Sequence, residues 1–181
     1  DDEQSAHGRG SEDGMRSSLT WCPPTEVQQK VDLVRAGAIE AGRDPSDIEV
    51  VLSFWGFEGN DDDVSIVRER CRRSVLAYAM VPTHQSAFLH AFPTLTEAAA
   101  AWDLGDRKKA LDLTGDDVLE AMCPIGPPGV VSDRVHQYVA AGVDLPVVFL
   151  VGPGRSGPEP ALQTMRSTAA ALALTSDTSA S

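Results

Sequence analysis

The sequence has few cysteines, and they do not form a metal-binding or disulfide pattern. Cys22, Cys71 and Cys123 are odd in number and far apart, and no Cys-x-x-Cys pair occurs. The pattern therefore excludes a zinc ribbon and a thioredoxin-type motif, and no metal site is expected. Because disulfide frameworks are rare in reducing compartments, this usage favours a cytoplasmic protein.

Basic residues are also scarce. Lys and Arg number 15 against 27 Asp and Glu, which gives a formal net charge of −12. A phosphate backbone or an anionic lipid surface needs neutralising Lys and Arg, so neither nucleic acid nor membrane is expected as a partner. No apolar run approaches the ~20 residues of a membrane helix. The N-terminus lacks the basic and apolar segments of a signal peptide.

The composition that remains is that of a soluble globular protein. The chain has 181 residues, of which 42% are hydrophobic and 23% charged, and its length predicts one domain. Residues 1–18 are polar and glycine-rich and are predicted to be disordered. Residues 175–181 are predicted to be a disordered tail. The folded part is expected to span residues 19–174.

A helix, a short turn and an apolar strand occur in this order twice. In the first copy, apolar residues recur at helical spacing over residues 27–41, Gly42 ends the helix, and residues 48–54 form a strand. In the second copy, a helix ending at Gly142 leads to a strand over residues 145–151. The continuous apolarity of both strands predicts burial on both faces, which is typical of parallel sheets.

The rest of the chain is predicted to be mainly helical. Thr25 and Gln28 have the spacing of a capping box at the start of the first helix. Residues 84–122 show no strand pattern and predict several short helices. The two or three predicted strands cannot close a sheet, because a (β/α)8 barrel needs eight strands and about 250 residues.

A glycine-rich loop follows the second strand. Gly152, Gly154 and Gly157 match G-x-G-x-x-G, but a dinucleotide site also needs a further parallel strand, and two prolines in the loop remove amide donors. Gly152, Gly154, Arg155 and Ser156 still offer amides, charge and a hydroxyl for a cofactor phosphate, as loops after late barrel strands do. The alternative is a solvent-exposed turn.

Two tryptophans are candidates for the wall of a cofactor site. Trp21 and Trp55 stand at or just after the ends of apolar segments, and the carboxyl ends of barrel strands form the active face. The alternative for both is packing in the core.

A basic run on the second helix either binds an anionic partner or forms a solvated helix face; it consists of Arg68, Arg70, Arg72 and Arg73.

The other polar clusters predict neither a metal site nor catalytic residues. The acidic residues 58–63 lack the glycine and glutamate positions of an EF-hand and are expected to cap the following helix. His84 and His90 are six residues apart, which does not suit a metal pair, and His136 stands alone. No Ser–His–Asp arrangement is recognisable.

Several segments resemble the luciferase-like monooxygenase family, especially its deazaflavin-dependent branch. They are residues 31–50 with an A-G-R-D-P turn, residues 76–79, residues 125–129, and residues 134–144 with an A-A-G-V-D turn. Their order and spacing resemble the last third to half of those enzymes. The resemblance spans about residues 20–172.

The resemblance implies a partial (β/α)8 TIM barrel of the α/β class, with parallel strands and an inserted helical region. It also implies an oxidoreductase or monooxygenase that binds FMN or coenzyme F420 and a small organic substrate, with the flavin ring at the carboxyl ends of the strands. The family's first strands and its glycine-rich phosphate segment have no counterpart here. We therefore expect the C-terminal part of such an enzyme, inactive without the missing half, as a partial sequence or a truncated paralogue. The alternative is a non-catalytic α/β module that forms a homodimer or pairs with a partner chain.

Overall fold

The computed structural model describes residues 15–154 and 157–178. Its four-stranded sheet is parallel throughout and has its longest strand at the centre. The strands are β1 (Met15–Thr20), β2 (Ile48–Glu58), β3 (Ile125–Gly126) and β4 (Leu145–Leu150). β2 pairs with each of the other three, so the two predicted helix-to-strand units lie side by side and parallel, as a barrel requires.

Helices make up most of the remaining described chain. They are α1 (Pro24–Glu40), α2 (Asp61–Ala79), α3 (Pro82–Ala91), α4 (Thr96–Asp103), α5 (Arg107–Asp112), α6 (Asp116–Met122), α7 (Val130–Ala140) and α8 (Glu159–Thr178). The short helices predicted between residues 84 and 122 are confirmed. β2 runs four residues past its predicted end, β1 includes residues predicted to be disordered, and α8 extends into the predicted tail. No helix of the described chain is long and apolar enough to cross a membrane.

The start of α1 differs from its prediction. Thr25 makes no capping hydrogen bond; the cap residue is Pro23, followed by a second proline at the first helical position. The Gln28 side chain instead donates to Asp32 at 3.0 Å. A proline at this position has a φ already suited to the helix and lacks an N–H that would go unpaired. Gly42 ends the helix at φ +71°, as predicted.

One hydrophobic core lies between the sheet and helices α1 and α7. Alternate side chains of β2 point into it, and it also contains Tyr138 of α7, whose hydroxyl donates to the carbonyl of Cys22 at 3.1 Å. Burial raises the pKa of Tyr138, because desolvation disfavours the phenolate. The buried members of this core are Cys22, Val27, Val31, Val50, Leu52, Phe54, Val131, Val135, Tyr138 and Val143.

A second core is formed mainly by the helices that follow β2. Helices α2 to α6 pack around it, and the sheet contributes Phe57 and Ile125 from the carboxyl end of β2 and from β3. Trp21 and Trp55 pack against its edge. The inserted helical region is therefore placed beyond the carboxyl ends of the strands, beside the face where barrel enzymes bind ligands.

The other face of the sheet is partly open. Val51, Ser53 and Trp55 of β2 are half-buried, and their neighbours on β4 include Leu145 and Phe149, which are 40% and 54% exposed. The prediction that the strands are buried on both faces is therefore wrong for the described chain. Helices α1 and α7 cover the opposite face. In a closed barrel the open face would point into the interior.

Candidate functional site

An aromatic cavity lies at the carboxyl end of β1, against the second half of β2. Its volume is about 320 Å3. Both predicted tryptophans line it, and the ring centroids of Trp21 and Trp55 are 4.9 Å apart in an edge-to-face arrangement. The other lining residues are Thr20, Cys22, Ser53, Phe54, Ser74, Tyr78, Met122, Tyr138 and Phe149. Side chains from both strands and from α2 therefore meet at one aromatic site.

Trp21 has an unusual backbone conformation at this site. Its φ is +52°, and among the described residues it alone combines a positive φ with a side chain. This conformation costs about 1–2 kcal/mol for an L-residue and persists where surrounding contacts hold it. Those contacts are aromatic: Trp21 stacks on Tyr78 at 5.0 Å, and Tyr78 stacks on His84 at 4.4 Å. The indole is therefore held in a defined orientation at the cavity wall.

Helix α2 supplies a wall that the sequence analysis did not assign to the site. Ser74 and Tyr78 lie one helical turn apart, and Arg70 lies one further turn towards the start of the helix. From the sequence, Arg70 belongs to the basic run of the second helix, and Tyr78 lies in residues 76–79, one of the segments that resemble the family. The i, i+4 spacing of these three residues indicates a shared face, but only the packing of α2 shows that this face borders the cavity.

A smaller pocket adjoins the aromatic cavity. Its volume is about 300 Å3, and it shares Trp55 and Ser74 with the cavity. Arg70, Arg73 and Gly152 also line it. This pocket therefore brings arginine side chains next to the loop that the sequence analysis predicted to bind a phosphate.

The predicted phosphate loop is only partly described. Gly152 follows β4 directly, and its carbonyl accepts a hydrogen bond from the Arg70 guanidinium. Gly154 has φ +78°, and a Cβ added there would lie 2.7 Å from Nη1 of Arg70. Arg155 and Ser156 lie outside the described residues, so their predicted role stays a prediction.

The basic run on α2 is mostly engaged in salt bridges. Arg68 and Arg72 both contact Asp116 of α6, and Arg73 contacts Glu69. Hydrogen bonds from Arg72 and Arg68 hold the pKa of Asp116 below its usual value, because they stabilise the carboxylate. Arg70 has no carboxylate within salt-bridge distance among the residues described here. The alternative of a solvated helix face therefore fits Arg73, which is 65% exposed, but not Arg68 and Arg72, which are 23% and 19% exposed against α6.

Glu58 occupies the amino end of α7. It is 3% exposed, its Oε1 accepts hydrogen bonds from the amides of Gly129 and Val131 at 3.0 Å each, and its Oε2 accepts from Ser167. A helix N-terminus after a late strand is a usual phosphate site, but here the chain's own carboxylate fills it. The groove beside it is lined by further carboxylates, which repel an anion; the acidic residues are Glu58, Asp63 and Glu159.

The remaining titratable clusters have structural explanations. Three of the acidic residues, Asp61, Asp62 and Asp63, lie in the first turn of α2, but the capping side chain is Asn60, which accepts from the amide of Asp63 at 2.9 Å. The prediction that the acidic run caps this helix therefore does not hold for Glu58, which lies at the amino end of α7. Within the described ranges, no group of three His, Cys, Asp or Glu residues is placed to hold a metal ion. All three cysteines are buried, and burial raises the pKa of the Cys22 thiol.

Comparison with known sequences identifies a family. The family model described as luciferase-like monooxygenase matches residues 12–145. The 5,10-methylenetetrahydromethanopterin reductase of Methanopyrus kandleri is 27% identical over 128 residues, which are 69% of this chain and 36% of that protein. The chain therefore spans about a third of the length of this curated relative.

Solved structures show the same fold. The coenzyme F420-dependent tetrahydromethanopterin reductase from Methanopyrus kandleri superposes with a TM-score of 0.61 at 24% identity, covering 81% of this chain and 42% of that one. The long-chain alkane monooxygenase LadA superposes with a TM-score of 0.56 at 15% identity, covering 89% and 37%. The parallel α/β arrangement is thus that of part of a TIM barrel. With the family match over residues 12–145, the chain belongs to the luciferase-like monooxygenase family.

Proposed function

We propose that this chain forms part of the cofactor site of a flavin- or F420-dependent oxidoreductase that acts on a small organic molecule. The observation that carries the proposal is the aromatic cavity lined by Trp21, directly after β1, and by Trp55, within β2. The relatives support it, since one is a coenzyme F420-dependent reductase and another an alkane monooxygenase by name.

The residues of the cavity fit a flat, conjugated ring. A cavity of about 320 Å3 lies at the lower end of the ~300–1,000 Å3 typical of small-molecule sites. Its indole and phenol rings offer faces and edges for stacking, and the hydroxyls of Thr20, Ser53 and Ser74 offer hydrogen bonds to ring polar atoms. When bound, a flavin or deazaflavin supplies the redox chemistry, and these residues orient the ring and exclude water from it.

The open sheet face belongs to the same proposal. Val51, Ser53, Leu145 and Phe149 would line the barrel interior once further strands close the sheet. Those strands would complete the cavity wall and supply the substrate-facing groups. We therefore propose that catalysis needs the rest of the barrel, while the ring-binding wall is already present in the described chain.

Ligand titration tests the ring-binding wall. FMN and F420 are titrated against the protein, with the shift of their absorbance bands as the signal. Replacing Trp55 by leucine removes an aromatic wall, and we expect the dissociation constant for the bound ring to rise by about 5–10-fold, as for the loss of ~1 kcal/mol of aromatic contact.

Trp102 provides the matched control. It lies on α4, where Arg107 stacks on its ring at 3.6 Å, and it does not line the aromatic cavity. Trp102→Leu removes the same indole and should leave the affinity for the ring unchanged. Absence of saturable binding of both cofactors, or an equal effect of the two substitutions, contradicts the proposed site.

A second candidate function is favoured by the exposure of Leu145 and Phe149. Parallel sheets normally have both faces covered, and β1 and β4 each have an edge without a partner strand in the described chain. As an alternative we propose a non-catalytic module that covers this face by forming a homodimer. The two functions differ in solution: one predicts cofactor binding, the other concentration-dependent association.

A further inference from the structure

We propose that Arg70, with the backbone at Gly152 and Gly154, forms a subsite for a phosphate group on the ligand whose ring occupies the aromatic cavity. This inference rests on the proposed function, because it assigns the second part of the same ligand. It concerns a side chain of α2 that neither the glycine-loop motif nor the tryptophans identified.

The first observation is the bonding state of Arg70. Its neighbours in the basic run each contact a carboxylate, whereas Arg70 contacts the carbonyl of Gly152, and no described carboxylate lies within salt-bridge distance of it. A guanidinium has five N–H donors, and this contact leaves donors available. Within the described residues, Arg70 therefore has no ion-pair partner and keeps N–H donors for a ligand.

The second observation is the space that the loop leaves for this side chain. A Cβ at Gly154 would lie 2.7 Å from Nη1 and 3.4 Å from Cζ of Arg70. The φ of +78° at Gly154 favours glycine, and the short distances show that the guanidinium lies directly against the loop. The hydrogen bond to the Gly152 carbonyl is the contact that places it there.

The third observation is the connection to the aromatic cavity. Arg70 and Gly152 line the adjoining pocket of about 300 Å3, which shares Trp55 and Ser74 with the cavity. A ligand with a ring against Trp55 can therefore extend an anionic arm along α2 to Arg70. The planar fork of an arginine matches a phosphate in geometry and charge, whereas the amino end of α7 is already filled by Glu58.

The test compares FMN with riboflavin, which has the same ring but no phosphate. For the unmodified protein we expect FMN to bind about 10-fold or more tightly than riboflavin, as charge-assisted hydrogen bonds to phosphate imply. Arg70→Gln should reduce this ratio to nearly one by weakening FMN alone, and Arg70→Lys should restore part of it. Raising the salt concentration should weaken FMN more than riboflavin.

Lys108→Gln is the charge-matched control. Lys108 lies on α5, contacts Asp112 at 2.7 Å, and lines neither pocket. This substitution removes the same charge and should leave the FMN-to-riboflavin ratio unchanged. A general loss of fold in Arg70→Gln would weaken both ligands together and leave the ratio intact.

The outcomes separate the two proposals. If FMN and riboflavin bind equally well to the unmodified protein, the phosphate subsite is overturned while ring binding stands. The same holds if Arg70→Gln leaves their ratio unchanged while riboflavin binds as it does to the unmodified protein. If neither flavin binds, nor F420, the proposed function fails, and the subsite fails with it.

Discussion

Gly56 lies where β2 is closely covered by neighbouring side chains. A Cβ at this position would lie 3.1 Å from methyl groups of both Val131 and Val148. Both neighbours are β-branched and restricted in χ1, so they cannot move aside easily. We expect Gly56→Ala to lower the free energy of unfolding by about 1–3 kcal/mol, as overpacking does, measured by urea denaturation.

Gly37 provides the opposite case on α1. No atom lies within 4 Å of a Cβ added there, and its backbone is helical. Gly37→Ala should therefore raise the free energy of unfolding by about 0.5–1 kcal/mol, since alanine favours a helix over glycine. If Gly56→Ala and Gly37→Ala change the free energy of unfolding by similarly small amounts, β2 is less tightly packed at Gly56 than described.

At the scale of single residues, both tryptophans singled out from the sequence line the aromatic cavity, and their cofactor-binding role stays a prediction. Trp21 directly follows β1, but Trp55 lies within β2, because that strand runs past its predicted end. The sequence does not single out Tyr78, and it gives Arg70 only as one of four arginines in a basic run, because helical spacing fits a buried stripe and a solvated face equally well. Which of these applies depends on where α2 lies relative to the sheet, and that position is set by contacts between distant parts of the chain.

The junction between α2 and α6 depends on the charge of one carboxylate. Asp116 contacts Arg68 at 3.0 Å and also contacts Arg72, and its pKa is lowered in the folded protein by these hydrogen bonds. A lowered folded-state pKa gives stability that is present above the unfolded pKa and is lost as pH falls through the folded pKa. The junction should therefore weaken in acid.

Asp116→Asn tests this at the level of the two helices. At pH 7 we expect a loss of about 0.5–1 kcal/mol in the free energy of unfolding, small because the carboxylate is largely exposed. The difference from the unmodified protein should shrink below about pH 4, where the unmodified carboxyl also becomes protonated. Chemical denaturation across pH 3–8 measures it.

Asp117→Asn is the control for this comparison. Asp117 shares the first turn of α6 but accepts from Thr94 at 3.0 Å rather than from an arginine. At pH 7, Asp117→Asn should lower the free energy of unfolding by less than Asp116→Asn does. A pH-independent loss in Asp116→Asn would contradict the electrostatic explanation.

At the scale of elements, the sequence predicted the type and order of most of them. The apolar periodicity of α1 and α7 and the left-handed glycines at their ends are local features, and they were correct. The capping box failed because two prolines determine the start of α1 instead. Val139 of α7 is 52% exposed, although the helical spacing of apolar residues includes it.

The whole molecule has an apolar sheet face that the described chain does not cover. If the homodimer forms, this face should be its interface, and Phe149 is its most exposed large apolar side chain, at 54%. Phe149→Asp would place a charge in that interface and should abolish concentration-dependent sedimentation of the dimer. Analytical ultracentrifugation across a range of protein concentrations measures it.

Leu104→Asp serves as the matched substitution. Leu104 is 88% exposed at the end of α4, away from the sheet, and the change should leave association unaltered. If the unmodified protein sediments as a monomer at all concentrations, the homodimer proposal is contradicted. If both substitutions weaken association equally, the interface does not lie on this sheet face.

The parallel sheet could be predicted at this scale, since two apolar strands each follow a helix. The open face could not, because a strand apolar on both sides has the same sequence whether or not another layer covers it. The barrel was predicted from the family resemblance rather than from the residue pattern. The position of the helical region beyond the strand ends is seen only in the packing of Phe57 and Ile125.

The two separate cores have a consequence for how this protein can change over evolutionary time. Side chains that hold α3 to α6 together, such as Phe88, Leu95 and Leu119, belong to one core, and those that hold the sheet to α1 and α7 belong to the other. Substitutions in the helical region can therefore change the shape of the aromatic cavity on its helical side while leaving the packing of the strands intact. A new selectivity for small molecules can therefore arise through substitutions in the helical core alone, without compensating substitutions in the core between the sheet and helices α1 and α7.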